Sequence, residues 1–278
     1  MLKQRVISSF FIFLFLFFAF NNEPFFTFFF IHLISFFALW EFFRLCSFRT
    51  LSNPSDNKDQ ILNNFFLTRV KLKTIDYFHI FCIQILLISY KNFEFFFIFF
   101  ILIFCFYLIF TIQKNIYKYF GIIYLSLPFF CFVYFQKTDQ LIINFMIIFV
   151  ITVATDVGGY VIGNSLKGPK ILKSISPKKT WSGFAGGIIF SLFFCDFFFE
   201  NSLTNILFFS LILLFSFICQ IGDFIESYFK RICFVKESSN LIPGHGGILD
   251  RFDGAILLTT FIFILNILQI DFLKFFNP

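Results

Sequence analysis

The chain has 278 residues, 59% of them hydrophobic and only 14% charged, with a net charge of +6 at neutral pH. Its mean hydropathy of +0.87 excludes an ordinary water-soluble domain, whose apolar fraction lies nearer half. A membrane β-barrel is excluded as well, because strands of about ten residues alternating polar and apolar are absent. Apolar runs of about 20 residues, enough to cross the hydrocarbon core as helices, recur instead through the whole length. The first, 6–21, follows Lys3 and Arg5 and lacks a small-x-small cleavage site before Asn21, so it reads as an uncleaved anchor. Further spans follow at 25–44, 75–90, 95–112, 119–136, 141–163, 182–199, 203–224 and 248–268. The fold class is therefore an all-α polytopic membrane protein of about nine transmembrane helices.

These spans divide the connecting segments between two sides of the bilayer. The N-terminus and connectors 45–74, 113–118, 164–181 and 225–247 hold almost all the Lys and Arg, whereas the opposite side has only Lys91, Lys137 and Lys274. The positive-inside rule thus predicts a cytoplasmic N-terminus and a cytoplasmic 225–247 segment. We divide the chain into N-terminal transmembrane helices over 1–140, with the cytoplasmic connector 45–74, and C-terminal catalytic helices over 141–278, within one integral membrane unit. The connector reads as a loop or a short interfacial helix around Asn53-Pro54-Ser55-Asp56, its cations attracting anionic lipid headgroups. The 57 phenylalanines read as lipid-facing filler in place of Leu, since Phe inserts as favourably. The seven cysteines include no CxxC pair and suggest small buried hydrophobes. His32 and His79 suit core packing or headgroup contact, and an ion pair with nearby Arg44 is enough to explain Glu41.

The chemistry lies in three polar stretches. In chain order, the first joins Asp156 on the sixth span to the cluster Ser176-Pro177-Lys178-Lys179-Thr180-Trp181-Ser182-Gly183. A carboxylate is costly at membrane depth. Lys178 and Lys179 neutralise phosphate as point charges, while Ser176 and Thr180 offer hydroxyls. Lys167, Lys170 and Lys173 fit a solvated loop. The second stretch closes span eight with Asp223, Ser227, Lys230 and Arg231 at i, i+4, i+7 and i+8, on one helix face. Snorkelling to headgroups accounts for Lys230 and Arg231 but not for the deeper Asp223. The third, Pro243-Gly244-His245-Gly246-Gly247-Ile248-Leu249-Asp250-Arg251-Phe252-Asp253-Gly254, opens the last span. Its glycines let backbone amides approach an anion beside a helix N-terminus, and Asp250 and Asp253 at i and i+3 suit Mg²⁺.

Together these residues resemble the phosphatidate cytidylyltransferase (CDP-diacylglycerol synthase) family. Its signature S-x-x-K-R-x4-K-D, then H-G-G-x-x-D-R-x-D, is met by Ser227, Lys230, Arg231, Lys236, His245, Gly246, Gly247, Asp250, Arg251 and Asp253. The upstream Ser-Pro-Lys-Lys-Thr-x-x-Gly is met by Ser176 to Thr180 and Gly183, and Asp156 fits the preceding acidic position. One departure is Glu237 where the family has Asp, which puts a strict ligand role there in doubt.

The resemblance implies transfer of CMP from CTP to phosphatidate in a bacterial cytoplasmic membrane, with the site on the cytoplasmic face. It implies Asp223, Lys230, Arg231, His245, Asp250 and Asp253 as catalytic residues and Mg²⁺ on Asp223 and Asp250, a second cation being left open. It also implies substrate contacts from Asp156, Ser176, Lys178, Lys179, Thr180, Ser227, Lys236, Gly246, Gly247 and Arg251. The expected partners are CTP, phosphatidate and anionic lipid headgroups; no nucleic acid is expected, and a homodimer is left open. The rival readings are a CTP-dependent polyprenol or phytol kinase and an ion-coupled transporter.

Overall fold

The computed structural model describes residues 24–51, 72–92, 116–138, 140–172, 175–199, 206–233, 235, 237–239, 241 and 246–276. Seven α-helices account for most of them: α1 (Pro24–Leu51), α2 (Thr74–Asn92), α3 (Ile116–Lys137), α4 (Leu141–Leu166), α5 (Trp181–Phe199), α6 (Ile206–Ile232) and α7 (Leu249–Ile267). No strand occurs among the described residues beyond one isolated bridge, Lys170 to Thr180. Among the described residues, five helices are long and apolar enough to cross a membrane: Phe25–Ser47, Lys118–Lys137, Leu141–Leu166, Trp181–Phe199 and Ile206–Ile232. A shorter apolar helix covers Thr74–Tyr90. Helix α7 carries Asp250, Arg251 and Asp253 in its first two turns and stays outside that set. The expected spans 6–21 and 95–112 lie outside the described residues.

Two helices extend past their predicted ends. Hydropathy places the end of the second span at 44 and of the eighth at 224, yet α1 continues to Leu51 and α6 to Ile232. A helix satisfies its own backbone hydrogen bonds whatever its side chains, so charge at an interface need not end it.

The chain divides into two compact units: 1–138 with 230–251, and 139–229 with 252–278. The divisions fall inside α6 and α7. In the first unit α1, α2 and α3 pack on one another around Leu39, Phe43, Leu45, Ile80, Ile83, Leu87, Ile122 and Phe135, all essentially inaccessible. Gly121 lets α3 close on α1, since a Cβ there would fall 1.8 Å from the Phe42 ring. Several buried polar groups of this bundle are hydrogen-bonded to one another. Asp76 takes an ion pair from Lys118 and a backbone bond from Lys73, while His32 Nδ1 donates to Gln84 Oε1 at 2.5 Å. Both histidines therefore sit inside the bundle, with His79 stacked on Phe43 at 5.6 Å.

In the second unit α4 and α5 meet along glycines spaced four apart, Gly159/Gly163 and Gly183/Gly187. Small-residue faces of this kind let membrane helices approach closely. A Cβ on Gly158 would lie 2.5 Å from the Gly186 carbonyl, and one on Gly183 would lie 2.8 Å from that of Gly159. Helix α6 adds polar contacts: Gln220 Nε2 donates to the Phe184 carbonyl at 3.3 Å and Ser191 Oγ to Ser216 Oγ at 3.3 Å. Phenylalanine serves both environments. Phe29, Phe81, Phe120, Phe193 and Phe197 are exposed, whereas Phe208, Phe215, Phe272 and Phe276 are fully buried. Their rings meet edge-on or stacked at 5.3–6.4 Å, geometries that add to area burial. Five of the six cysteines described are buried.

Candidate active site

Consider first the segment that closes α6 and opens α7, within the first unit. Lys230 and Arg231 occupy the last turn of α6, where cations complement the helix dipole. The turn beyond is fixed by two bonds: Val235 N to the Lys230 carbonyl at 3.0 Å, and Arg231 Nη1 to the Val235 carbonyl at 2.9 Å. Lys230 Nζ then pairs with Asp250 Oδ1 at 2.8 Å, both side chains about nine-tenths buried. Removing one partner of such a pair strands a charge at a cost of about 3–5 kcal/mol. The other oxygen, Asp250 Oδ2, accepts from Ser238 N at 2.9 Å, Ser238 Oγ at 3.0 Å and Gly247 N at 2.9 Å. Gly246 adopts φ +83°, a left-handed conformation natural only to glycine.

Glu41 of α1 holds the same segment. Its carboxylate, fully buried, accepts from Ser239 Oγ and Ile248 N on Oε1, and from Ser238 Oγ and Leu249 N on Oε2. The last three distances are all 3.0 Å. Two of these donors are backbone amides at the start of α7, which no intrahelical carbonyl can satisfy. In addition to its electrostatic attraction for Arg44, Glu41 thus holds a four-donor clamp. Its partners lie 197 to 208 residues away in sequence, so neither hydropathy nor spacing could link them. The one signal was the carboxylate itself, isolated in an apolar helix.

The second unit supplies the other polar cluster. Lys167, in the left-handed conformation at φ 46°, ends α4 and turns the chain into the 168–180 loop. The loop is held by Trp181 N to the Pro169 carbonyl at 2.9 Å and Ile171 N to the Lys179 carbonyl at 3.2 Å. Thr180 Oγ1 accepts from Gly183 N at 3.1 Å, which makes Thr180 the N-cap of α5. The loop leads Lys179 to α6, where its ammonium pairs with Asp223 Oδ2 and lies 4.3 Å from the Phe224 ring centroid. Ser227 Oγ, one turn on, donates to Asp223 Oδ1 at 3.3 Å. One residue before Asp223, Gly222 passes so close to α7 that a Cβ would lie 3.0 Å from the Asp253 carbonyl. Asp156 of α4 and Asp253 of α7 both lie within electrostatic range of the Cys219 thiol on α6.

Each unit therefore pairs a motif lysine with a motif aspartate: Lys230 with Asp250, and Lys179 with Asp223. Ser227 joins the second pair and Gly246 and Gly247 shape the first. Amides offered by sequence to a bound anion are engaged internally, Gly247 N by Asp250, Ile248 N and Leu249 N by Glu41. Lys178, Arg251 and Asp156 are exposed, as is Glu237, while Ser176 and Asp253 are half-buried. Lys236 and His245 lie outside the described residues. Sequence reasoning missed Glu41, Ser238 and Ser239.

The donor set was tested against the implied Mg²⁺. Asp223 Oδ1 meets the Ser227 hydroxyl and Asp250 Oδ1 the Lys230 ammonium, so in these contacts each oxygen keeps lone-pair capacity. Among the described residues no three His, Cys, Asp or Glu side chains gather into a cage. Magnesium is commonly held by one or two carboxylates plus phosphate oxygens and water, so these residues fit it.

Sequence comparisons agree with the motifs. The chain is 37% identical over 147 residues to the phosphatidate cytidylyltransferase of Bacillus subtilis, covering 51% of this chain and 55% of that protein. It is 34% identical over 156 residues to the phosphatidate cytidylyltransferase of Rickettsia conorii, covering 53% of this chain and 68% of that protein. For the Staphylococcus haemolyticus protein of the same name, identity is 40% over 147 residues, covering 50% and 53%. The matched part thus spans between about half and two thirds of these relatives' length. The model of the cytidylyltransferase family matches residues 3–268, nearly the whole sequence and both polar clusters, and the chain belongs to that family.

Proposed function

We propose that the chain transfers CMP from CTP to phosphatidate, giving CDP-diacylglycerol and pyrophosphate for phospholipid synthesis. The observation that carries this reading is the double pairing of signature lysine with signature aspartate, Lys179 with Asp223 and Lys230 with Asp250. A site for two polyanions needs cations held in place before the substrates arrive and carboxylates able to take a metal when they do. Family membership and the names of the relatives support the same reaction.

A phosphatidate oxygen attacks the α-phosphorus of CTP; the bond from that phosphorus to the bridging oxygen breaks, and pyrophosphate leaves with the electron pair. The attacking phosphate monoester, with a second pKa of about 6, is already largely ionised, so no base need create it. What the protein must supply is alignment and charge neutralisation. Lys179 and Lys230 turn from their carboxylates toward phosphate oxygens, and Lys178, Arg231, Lys236 and Arg251 share the remaining charge. Ser227 and Ser176 donate to phosphate or sugar oxygens, and His245 orients or protonates a phosphate oxygen. Asp156 and Asp253 complete the acidic lining. Asp223 and Asp250 are the ligands we assign to Mg²⁺, which when bound neutralises triphosphate oxygens and stabilises the leaving pyrophosphate. The apolar runs of the sequence support a reading of nine spans, and the basic connectors support a cytoplasmic N-terminus and a site on the cytoplasmic side of a bacterial inner membrane.

Replacing Asp223 or Asp250 by Asn tests the assignment with little change of shape. Asp223→Asn should insert and melt like the parent, whereas Asp250→Asn, which leaves Lys230 without its buried partner, should insert but melt lower. Each should lose CTP-dependent pyrophosphate release by at least about a hundredfold at a temperature where the variant stays folded, the scale of one lost electrostatic contact in a transition state. Turnover within a few-fold of the parent would remove that residue from the metal and catalytic roles.

A further inference from the structure

We infer that Glu41 is a positioning residue for the reaction: from the N-terminal helix it sets the conformation of the 238–250 segment and, through Ser238, the orientation of Asp250. The inference rests on the proposed function, since Asp250 is assigned to the active site there. The geometry is specific. Both oxygens of Glu41 are used, each by one serine hydroxyl and one α7 amide. Ser238 Oγ lies 3.0 Å from Glu41 Oε2 and 3.0 Å from Asp250 Oδ2, so a single hydroxyl hydrogen serves two carboxylates. Asp250 in turn holds Lys230. A chain of contacts therefore runs from Glu41 through Ser238 and Asp250 to Lys230, all within the first unit. There is no slack at the junction, because a Cβ on Gly247 would lie 1.9 Å from Ser238 Oγ and 2.6 Å from Glu41 Oε2. A residue that only stabilised the bundle would not need to reach α7 and both serines with every lone-pair direction it has.

Glutamine at this position keeps the size but turns one acceptor oxygen into a donor facing two donors, which must then move. Three variants of the full chain in detergent or membranes test the proposal: E41Q, E41D and S238A. Ser238→Ala cuts the hydroxyl bridge between Glu41 and Asp250 while leaving Asp250 the residue-238 amide and Glu41 its two amide bonds and Ser239. The expected result for E41Q is a lower melting midpoint, because two buried donors lose their acceptor, and, at a temperature where the variant stays folded, a kcat lower by about 10–100-fold, the usual loss when an outer partner of a site is removed, with KM for phosphatidate kept. E41D should recover part of that loss, and S238A should lower kcat without lowering the midpoint. Hydrogen exchange supplies a readout independent of turnover, and the amides of Ile248 and Leu249 should exchange faster in E41Q. Unchanged kcat in E41Q, or a loss that follows the melting midpoint across all three variants, would overturn the proposal. If the parent itself shows no CMP transfer, the functional reading falls instead; the clamp then stands or falls on whether those two amides lose protection.

Discussion

Gly247 shows how narrowly single residues are specified in the 238–250 segment. Its amide donates to Asp250, and its Cα faces Ser238 and Glu41 with no room for a methyl group. Gly247→Ala should therefore cost about 1–3 kcal/mol by overpacking and lower turnover, because the displaced groups are those that orient Asp250. Thermal melting and pyrophosphate release together check this; a variant as stable and as fast as the parent would mean that the segment relaxes freely. The motif residues were legible from spacing because helical periodicity alone puts Asp223 and Ser227 on one face. Roles set by tertiary contacts were less legible. Thr180, whose hydroxyl the sequence offers to phosphate, also caps α5, and Glu41, read as the partner of Arg44, also holds amides some 200 residues away.

Among the helices, α4 and α5 give the sharpest case of sequence dictating contact. Gly158 and Gly159 are neighbours in one helix, yet the α5 backbone approaches them unequally. A Cβ on Gly158 would lie 2.5 Å from a backbone oxygen, whereas one on Gly159 would lie in ordinary contact at 3.5 Å. Gly158→Ala should force the helices apart and lower the melting midpoint of the protein in detergent, while Gly159→Ala should be nearly neutral. Equal effects would contradict the interhelical geometry. The apolar runs predicted at 119–136, 141–163 and 182–199 coincide closely with α3, α4 and α5, because an unbroken apolar stretch has few other ways to satisfy its backbone in lipid. Hydropathy alone stops at the first charges, eight residues short of the end of α6, whereas the helical spacing of Asp223, Ser227, Lys230 and Arg231 already carries the helix past them.

For the whole molecule, the sequence reading divided the chain at 140, within one integral membrane unit. The first compact unit nonetheless takes back 230–251, and Glu41 is the residue that binds that return most tightly. A reading by local pattern has no means of seeing a segment come home to a helix two hundred residues earlier. The account as a whole claims that cations and carboxylates stored in pairs serve a cytidylyl transfer at a membrane surface. The most direct test supplies inverted membrane vesicles carrying the chain with phosphatidate, Mg²⁺ and CTP labelled in its α-phosphate. The account predicts label in the lipid fraction as CDP-diacylglycerol, one pyrophosphate released for each, and no turnover when right-side-out vesicles receive the same CTP outside. Label recovered as free CDP with none in lipid, or turnover from the outer face alone, would contradict it.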